Sequence, residues 1–256
     1  MIDDLLAAEH LRQIDLGGKI LSIVDNHQYA LLVWAREAIA LGVPLTLVSV
    51  DYHPDTNPPF WLQAYQKAMA VDPLREAELV KKFEHRVMAD IDPGDLETLG
   101  KKMALMRNDE HINTGMCLGY LKDYHMINCM ERHCYASGTH YLVPEPYFGV
   151  LKDAAFLAAG FSPEKFLKDL EGPLVVDMDL DYFMRAQDFT YDAGAMAGFS
   201  ALCRRAALIT SARSQTYFEH LRREDFSMSE CETAFVRLMK KILGTDSFSE
   251  DFKTLG

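Results

Sequence analysis

The chain is short of basic charge, short of cysteine, and has no long apolar run. Its 26 Lys and Arg stand against 38 Asp and Glu, a formal charge of −12 over 256 residues. With no basic excess to neutralise phosphates, the balance argues against nucleic acid as the main partner and against an anionic membrane surface. No stretch approaches the ~20 apolar residues that cross a bilayer. The first residues, MIDDLLAAEHLRQIDLGG, are acidic and amphipathic. They lack the basic start and apolar core of a signal peptide, so a cytoplasmic location is expected. The five cysteines, Cys117, Cys129, Cys134, Cys203 and Cys231, are odd in number and include no C-x-x-C pair. Reduced thiols are expected rather than a disulfide framework. No P-loop, G-x-G-x-x-G or G-x-S-x-G occurs, so nucleotide, dinucleotide and serine-hydrolase chemistry lack support.

What is present is the balance of an ordinary folded protein, 49% hydrophobic and 25% charged. Residues 1–16 read as an amphipathic helix stopped by Gly17-Gly18. Residues 19–24 and 45–50 read as buried strands. Between them, 30–41 has helical spacing and Gly42 as its stop. Strand, helix, strand is a βαβ unit and predicts a parallel sheet. Helical composition follows over 60–70, 74–89, 95–106, 114–134, 150–170 and 228–243. Short strands are predicted at 141–143, 174–176 and 206–210. No repeat or linker divides the chain. One α/β domain over 1–256 is expected, with its core at about 19–243 and a loose polar tail.

The polar residues cluster after the strands. Asp25-Asn26-His27 follows the first, Asp51-Tyr52-His53-Pro54-Asp55 the second, and Asp177-Met178-Asp179-Leu180-Asp181 the third. In open parallel sheets, ligands collect beyond the carboxyl ends of strands. Alternate residues of an extended segment point the same way, so Asp51, His53 and Asp55 can converge, as can Asp177 and Asp179. Carboxylates and imidazoles gathered so closely repel or shift one another's pKa values. One divalent cation, or a pair, removes that conflict. Mixed carboxylate and imidazole donors suit Mn, Zn, Fe or Co, and two such ions can activate a water near neutral pH. The bland alternative is a set of solvated strand-end and capping carboxylates.

VSVDYHPD resembles the D-x-H-x-D segment of the arginase/ureohydrolase and histone-deacetylase-like superfamily. VVDMDLDYF is similar to its later S-F-D-x-D-x-x-D-P segment, and VDNHQYALLVW sits where arginases have G-G-D-H. The set D-N-H, D-x-H-P-D, E-H-I-x-T and D-x-D-L-D-Y-F resembles, more closely, the arginase-related UPF0489 family. The resemblance implies a three-layer α/β/α sandwich with a mainly parallel sheet. It also implies two divalent ions, with Mn as the first expectation. His27, Asp51, Asp55 and Asp177 would hold one ion. Asp51, His53, Asp177 and Asp179 would hold the other, with Asp51 and Asp177 bridging and a hydroxide between the ions as nucleophile. Two departures stand out. No Pro follows Asp181, and no N-x-H-G segment occurs, so recognition of a guanidino amino acid lacks support.

Weaker candidates lie elsewhere. His111, opening a predicted helix in Glu110-His111-Ile112-Asn113-Thr114, is a candidate acid or base beside the metals, or a solvated helix-start histidine. Asp181 is a candidate supporting or substrate-binding carboxylate, or a cap. His125, Cys129 and His133 recur at i, i+4 and i+8 of the predicted 114–134 helix, with Cys134 beside them. One helix spreads them too far along its axis for a shared zinc, and a partly buried face is the simpler account. Trp34 is expected in the core, Trp61 near the Asp55 loop, and Arg213 and Glu219 on the surface, with reach into the pocket as the alternative for either. The methionines are expected as core filler. The expectation is a dinuclear metallohydrolase acting on a small-molecule amide, amidine or guanidine. The alternatives are metal-assisted phosphoester hydrolysis and a non-catalytic metal-binding scaffold.

Overall fold

The computed structural model describes residues 2–8, 11–130 and 138–245. In chain order the elements are α1 (Ile2–Ala8), β1 (Arg12–Asp15), β2 (Ile20–Val24), α2 (Ala30–Leu41), β3 (Leu45–Val50), α3 (Trp61–Val71), α4 (Glu76–Ala89), α5 (Leu96–Gly100), α6 (His111–Cys117), β4 (Leu121–Asn128), β5 (Thr139–Leu142), α7 (Asp153–Ala158), α8 (Pro163–Asp169), β6 (Leu174–Asp179), α9 (Ala197–Arg205), β7 (Leu208–Ala212), α10 (Gln215–Leu221) and α11 (Met228–Leu243). The seven strands form one sheet in the order β1-β2-β7-β6-β3-β4-β5. Every pairing is parallel except β1 with β2. The expected α/β class is therefore the observed one.

Period-two alternation sorts strand residues into two cores. Leu21, Ile23, Val48, Val50, Val176 and Met178 pack with Phe156, Phe199, Leu202, Phe235 and Leu238 of α7, α9 and α11. Val24, Leu45, Leu47, Val175 and Leu208 pack on the opposite face with Leu31, Leu32 and Trp34 of α2 and Ile112 of α6. Helices on both faces explain why β3 and β6 are buried along their whole length, as all-parallel strands must be. Helices α3 and α4 share a small core of their own, Ala64, Ala68, Leu79 and Val80. No helix among the described residues is long and apolar enough to cross a membrane.

Local signals set several boundaries. Helix α2 ends at Gly42, whose left-handed φ of 66° costs glycine nothing. Helix α11 starts on a Ser227–Glu230 capping box and ends at left-handed Gly244. Other expectations are corrected. The 1–16 segment is α1 plus strand β1, because Arg12–Asp15 pairs antiparallel with β2. The 114–134 segment is α6, a turn at Gly119 (φ 77°) and strand β4. Its polar residues Lys122, Asp123 and His125 mask a strand that lies between β3 and β5. The 95–106 segment contains only α5 and a short 3-10 turn, and 150–170 is split into α7 and α8. Strand β6 extends to Asp179, and the strand expected at 206–210 is β7, two residues later. His133, Cys134 and the tail from residue 246 lie outside the described residues.

Candidate metal centre

Strands β2, β7, β6 and β3 are adjacent and parallel, so their carboxyl ends make one edge. Lateral register aligns Ser22 with Thr210, Thr210 with Asp177, and Asp177 with Ser49. All four are buried on the α2 side of the sheet. Two residues further along, the same alternation presents Asp179 on β6 and Asp51 just beyond β3.

His27, fully buried in the 3-10 turn that follows β2, stands over this edge. Its Nε2 donates to Asp177 Oδ2 at 2.7 Å. Its Nδ1 lies 2.9 Å from Asp55 Oδ2, 3.2 Å from Asp179 Oδ2 and 3.5 Å from Asp51 Oδ2. Asp177 also accepts hydrogen bonds from Ser49 Oγ at 3.0 Å and Thr210 Oγ1 at 2.6 Å. Thr210 Oγ1 in turn accepts from Trp34 Nε1 at 2.9 Å, so the core tryptophan braces the site.

Beside this group, Asp51 Oδ1 accepts the His53 backbone N–H at 2.8 Å. That bond turns the chain out of the strand. The simple alternation expected of Asp51, His53 and Asp55 therefore does not hold. Asp51 and Asp55 close on His27, with Asp55 at a left-handed φ of 42°. His53 points instead toward Asp181, with Nδ1 3.0 Å from its Oδ2. A left-handed non-glycine residue is costly and is kept only where the surroundings enforce it. Ser214 is another such residue, at φ 42°, and its Oγ donates to Asp179 Oδ2. Next to it, Arg213 pairs with Asp25, two residues before His27, and with Glu232 of α11 at 2.6 Å. Glu232 also pairs with Arg12 of β1.

Charge is crowded here. Asp51, Asp55, Asp177, Asp179 and Asp181 are each at most 4% exposed. Burial raises Asp55, and the Asp51 charge adds to it, pushing the carboxyl up to about 8. Burial and then neighbouring carboxylates raise Asp179 and Asp181. Burial would also raise Asp51, but His27 and His53 outweigh it and hold Asp51 below the usual carboxylate range. Burial opposes a charge on His27, yet Asp177 and Asp179 hold it well above its ordinary value. Burial likewise opposes a charge on His53, but Asp181 and Asp51 push it up to about 11.

Three groups have ligand atoms within 4.8 Å of one another: His27, Asp51, Asp55 and Asp179; Asp51, His53 and Asp181; and His27, His111 and Asp177. Asp51 Oδ2, Asp181 Oδ1 and His111 Nε2 are buried with no hydrogen-bond partner, and Asp181 Oδ2 faces the His53 ring nitrogen. Buried polar atoms are normally satisfied, so these orphans mark space for a missing partner. Oxygen and imidazole donors of this kind suit a divalent transition metal.

The structure thus gathers His27, Asp51, His53, Asp55, Asp177, Asp179 and Asp181 at one edge. It differs from the expected grouping in two respects. Asp177 lies deeper, with both oxygens engaged by Ser49, Thr210 and His27, while Asp181 lies with Asp51 and His53. His111 opens α6 but is buried, its ring 4.3 Å from that of His27 and 5.2 Å from that of Trp34. Its Nδ1–H donates to the Asn108 carbonyl. Burial and the His27 charge hold its pKa well below the ordinary value. His125 and Cys129 belong to strand β4 and its end, not to a helix face. His125 is engaged by the Tyr141 hydroxyl at 3.1 Å. Trp61 is 37% exposed and stacks on Tyr65. Glu219 is exposed and accepts from Gln215. Arg213, expected on the surface, is instead an 18%-exposed clamp. The sequence reading missed Ser49, Thr210 and Ser214. The available signal was a hydroxyl residue inside, or just after, an otherwise apolar buried strand.

No family model matches the chain, and no curated protein matches it. Among solved structures, the chain is similar to the proclavaminate amidino hydrolase from Streptomyces clavuligerus, at 14% identity and a TM-score of 0.48 over 95% of this chain and 69% of that one. It is also similar to a hypothetical agmatinase from Burkholderia thailandensis, at 11% identity and a TM-score of 0.45 over 89% of this chain and 59% of that one.

Proposed function

We propose that the chain is a dinuclear metal-dependent hydrolase acting on a C–N bond of an amide, amidine or guanidine. The arginase-related UPF0489 family is the affiliation its motifs suggest. The observation that carries the proposal is a set of five buried carboxylates from the ends of β3 and β6, gathered with buried His27 and His111 and part-buried His53, several of whose atoms are orphaned. His27, Asp51, Asp55 and Asp179 would hold one ion, and Asp51, His53 and Asp181 the other, with Asp51 shared. Two divalent ions bound there supply Lewis acidity and lower the pKa of water toward neutrality. Manganese is the first candidate, with zinc, iron or cobalt as the others.

The chain's own residues have assignable tasks. Asp177 keeps a proton on His27 Nε2, which leaves Nδ1 as the ligand atom once its proton is lost. Ser214 and Asp55, both strained, hold the carboxylate geometry before any ion arrives. His111, neutral and fixed through Nδ1, offers Nε2 as a proton acceptor rather than a donor. The test is turnover by the Mn-loaded chain on two panels, amides, amidines and guanidines in one, phosphoesters in the other. Release of ammonia, amine or urea supports the proposal. Release of phosphate alone replaces it with phosphoester hydrolysis. No turnover, together with stoichiometric metal, favours a metal-binding scaffold.

A further inference from the structure

The loop from β3 to α3 carries the proposed ligands Asp51, His53 and Asp55, and its backbone is left-handed at Asp55 (φ 42°) and at Phe60 (φ 55°). Such a backbone at a residue other than glycine persists where its surroundings enforce it. Residues 107–113, which lead into α6, pin this loop along its length. The Asn57 backbone N–H donates to the Asp109 carbonyl and Asn57 Nδ2 to Asp109 Oδ2, both at 2.8 Å. The Leu62 N–H, at the start of α3, donates to Glu110 Oε1 at 2.9 Å. Nearest to the Asp55 ligand, Asn113 Nδ2 donates to the Thr56 carbonyl at 2.6 Å and, more weakly, to the Asn57 carbonyl at 3.3 Å. Thr56 and Asn113 are both buried, so solvent does not compete for the stronger bond.

The contact explains the choice of asparagine. Two consecutive carbonyls need two donors on one uncharged group, and a primary amide supplies both. An aspartate of the same shape supplies none and would set its charge against two carbonyl oxygens. The contact also has a cost, because Asn113 Oδ1 is buried with no hydrogen-bond partner. Buried polar atoms are normally satisfied, so stability alone is a poor reason for an amide here. The neighbouring Thr114 hydroxyl, by contrast, turns back to the Glu110 carbonyl within its own helix. Helix α6 opens with His111, whose ring lies 4.3 Å from that of His27, and His27 Nδ1 lies 2.9 Å from Asp55 Oδ2. One helix thus meets the centre twice, through the His111 ring and through the amide that seats the Asp55 loop.

We infer that Asn113 is a positioning residue of the metal centre, which holds the Asp55 carboxylate in place for one of the two ions by clamping the carbonyls that follow it. The inference rests on the metallohydrolase proposal, and it makes a selective demand. Asp55 groups with His27, Asp51 and Asp179, and not with Asp51, His53 and Asp181. Loss of the clamp therefore weakens one ion and spares the other, whereas a general defect of the fold weakens both.

The test is Mn²⁺ binding by the full chain, followed by calorimetry and elemental analysis, with circular dichroism to check folding. Asn113→Leu removes both donors at similar volume, and Asn113→Ala removes them and leaves room. Each should weaken one ion by about ten- to a hundredfold and leave the other unchanged. At limiting metal, electron paramagnetic resonance should show isolated Mn²⁺ in place of the coupled pair. Asp55→Ala should affect the same ion, and adding Asn113→Leu to it should change Mn²⁺ binding no further. Wild-type affinity for both ions in the variants, equal weakening of both, or a further loss in the double variant overturns the positioning role and leaves the metal proposal intact. Failure of both Asn113 variants to fold makes the residue a fold contact and overturns it too. A wild-type chain that takes up no Mn²⁺ overturns the inference together with the hydrolase proposal.

Discussion

Metal loading should stabilise this chain strongly, and the effect should grow with pH. An ion that binds only the folded state at 100 times its Kd contributes about 2.7 kcal/mol. Two ions would contribute about 5 kcal/mol, and a domain of this size shifts by roughly 2–4 °C per kcal/mol, so the melting temperature should rise by about 10–20 °C. Protons compete with the ions. Asp55 is pushed up to about 8 by burial and by Asp51. Below that value the metal-free folded chain keeps a proton that the unfolded chain releases above about 4. Metal-free stability therefore falls as pH rises from about 4 to about 8. His53, pushed up to about 11, acts in the same direction above its ordinary value near 6.5. The loaded chain has to lose those protons, at about 1.4 kcal/mol per pH unit for each. From pH 8 to pH 6 the Asp55 proton alone should weaken its ion by about one to two orders of magnitude. Differential scanning calorimetry at fixed Mn²⁺, with and without chelator, measures the gap at pH 6, 7 and 8. The gap should widen as pH rises. A gap that is absent, or the same at pH 6 and pH 8, would refute the placement of Asp55 among the ligands.

Four substitutions probe the site separately. Asp51→Asn should remove both ions and Asp181→Asn only one, by elemental analysis after Mn loading; two ions retained in the Asp51 variant would reject the shared ligand. Thr210→Val deletes a hydroxyl that donates to Asp177 and accepts from Trp34, so urea unfolding should show a loss of about 1–3 kcal/mol. An unchanged midpoint with an unchanged m-value would count against it. Glu232→Leu leaves Arg213 and Arg12 without their common carboxylate. Because Arg12 is a third exposed, the cost should be about 2–3 kcal/mol, below that of a fully buried pair. Loosening Arg213 should also disturb Ser214 and weaken Mn²⁺ binding, which an unaltered affinity would contradict.

The strand ends were legible because parallel strands buried on both faces read as continuous apolar runs, and KILSIV, LTLVSV and PLVV do so. The acids stood out for the same reason, since a carboxylate immediately after such a run has few structural excuses. Strand β4 was not legible. Lys122, Asp123 and His125 interrupt its pattern, and only the β3 and β5 backbones on either side make that segment extended. The clamp of Arg12, Glu232, Arg213 and Asp25 spans residues up to 220 positions apart, beyond any local pattern.

The order D-x-H-x-D and then D-x-D-x-D is written in the chain, and with it the number and kind of donors available. Which acids of the second segment reach the centre is not. In an extended run Asp177, Asp179 and Asp181 share one face, so every assignment shifted by two residues looks alike. The sheet removes the ambiguity. Strand β6 pairs with β3 through Met178 and with β7 through Asp179, which seats Asp177 inside the sheet, between Ser49 and Thr210. Asp181, released into a 3-10 turn beyond the last strand residue, swings beside His53. Where a strand stops depends on the hydrogen bonds its neighbours offer, and those neighbours are distant in sequence.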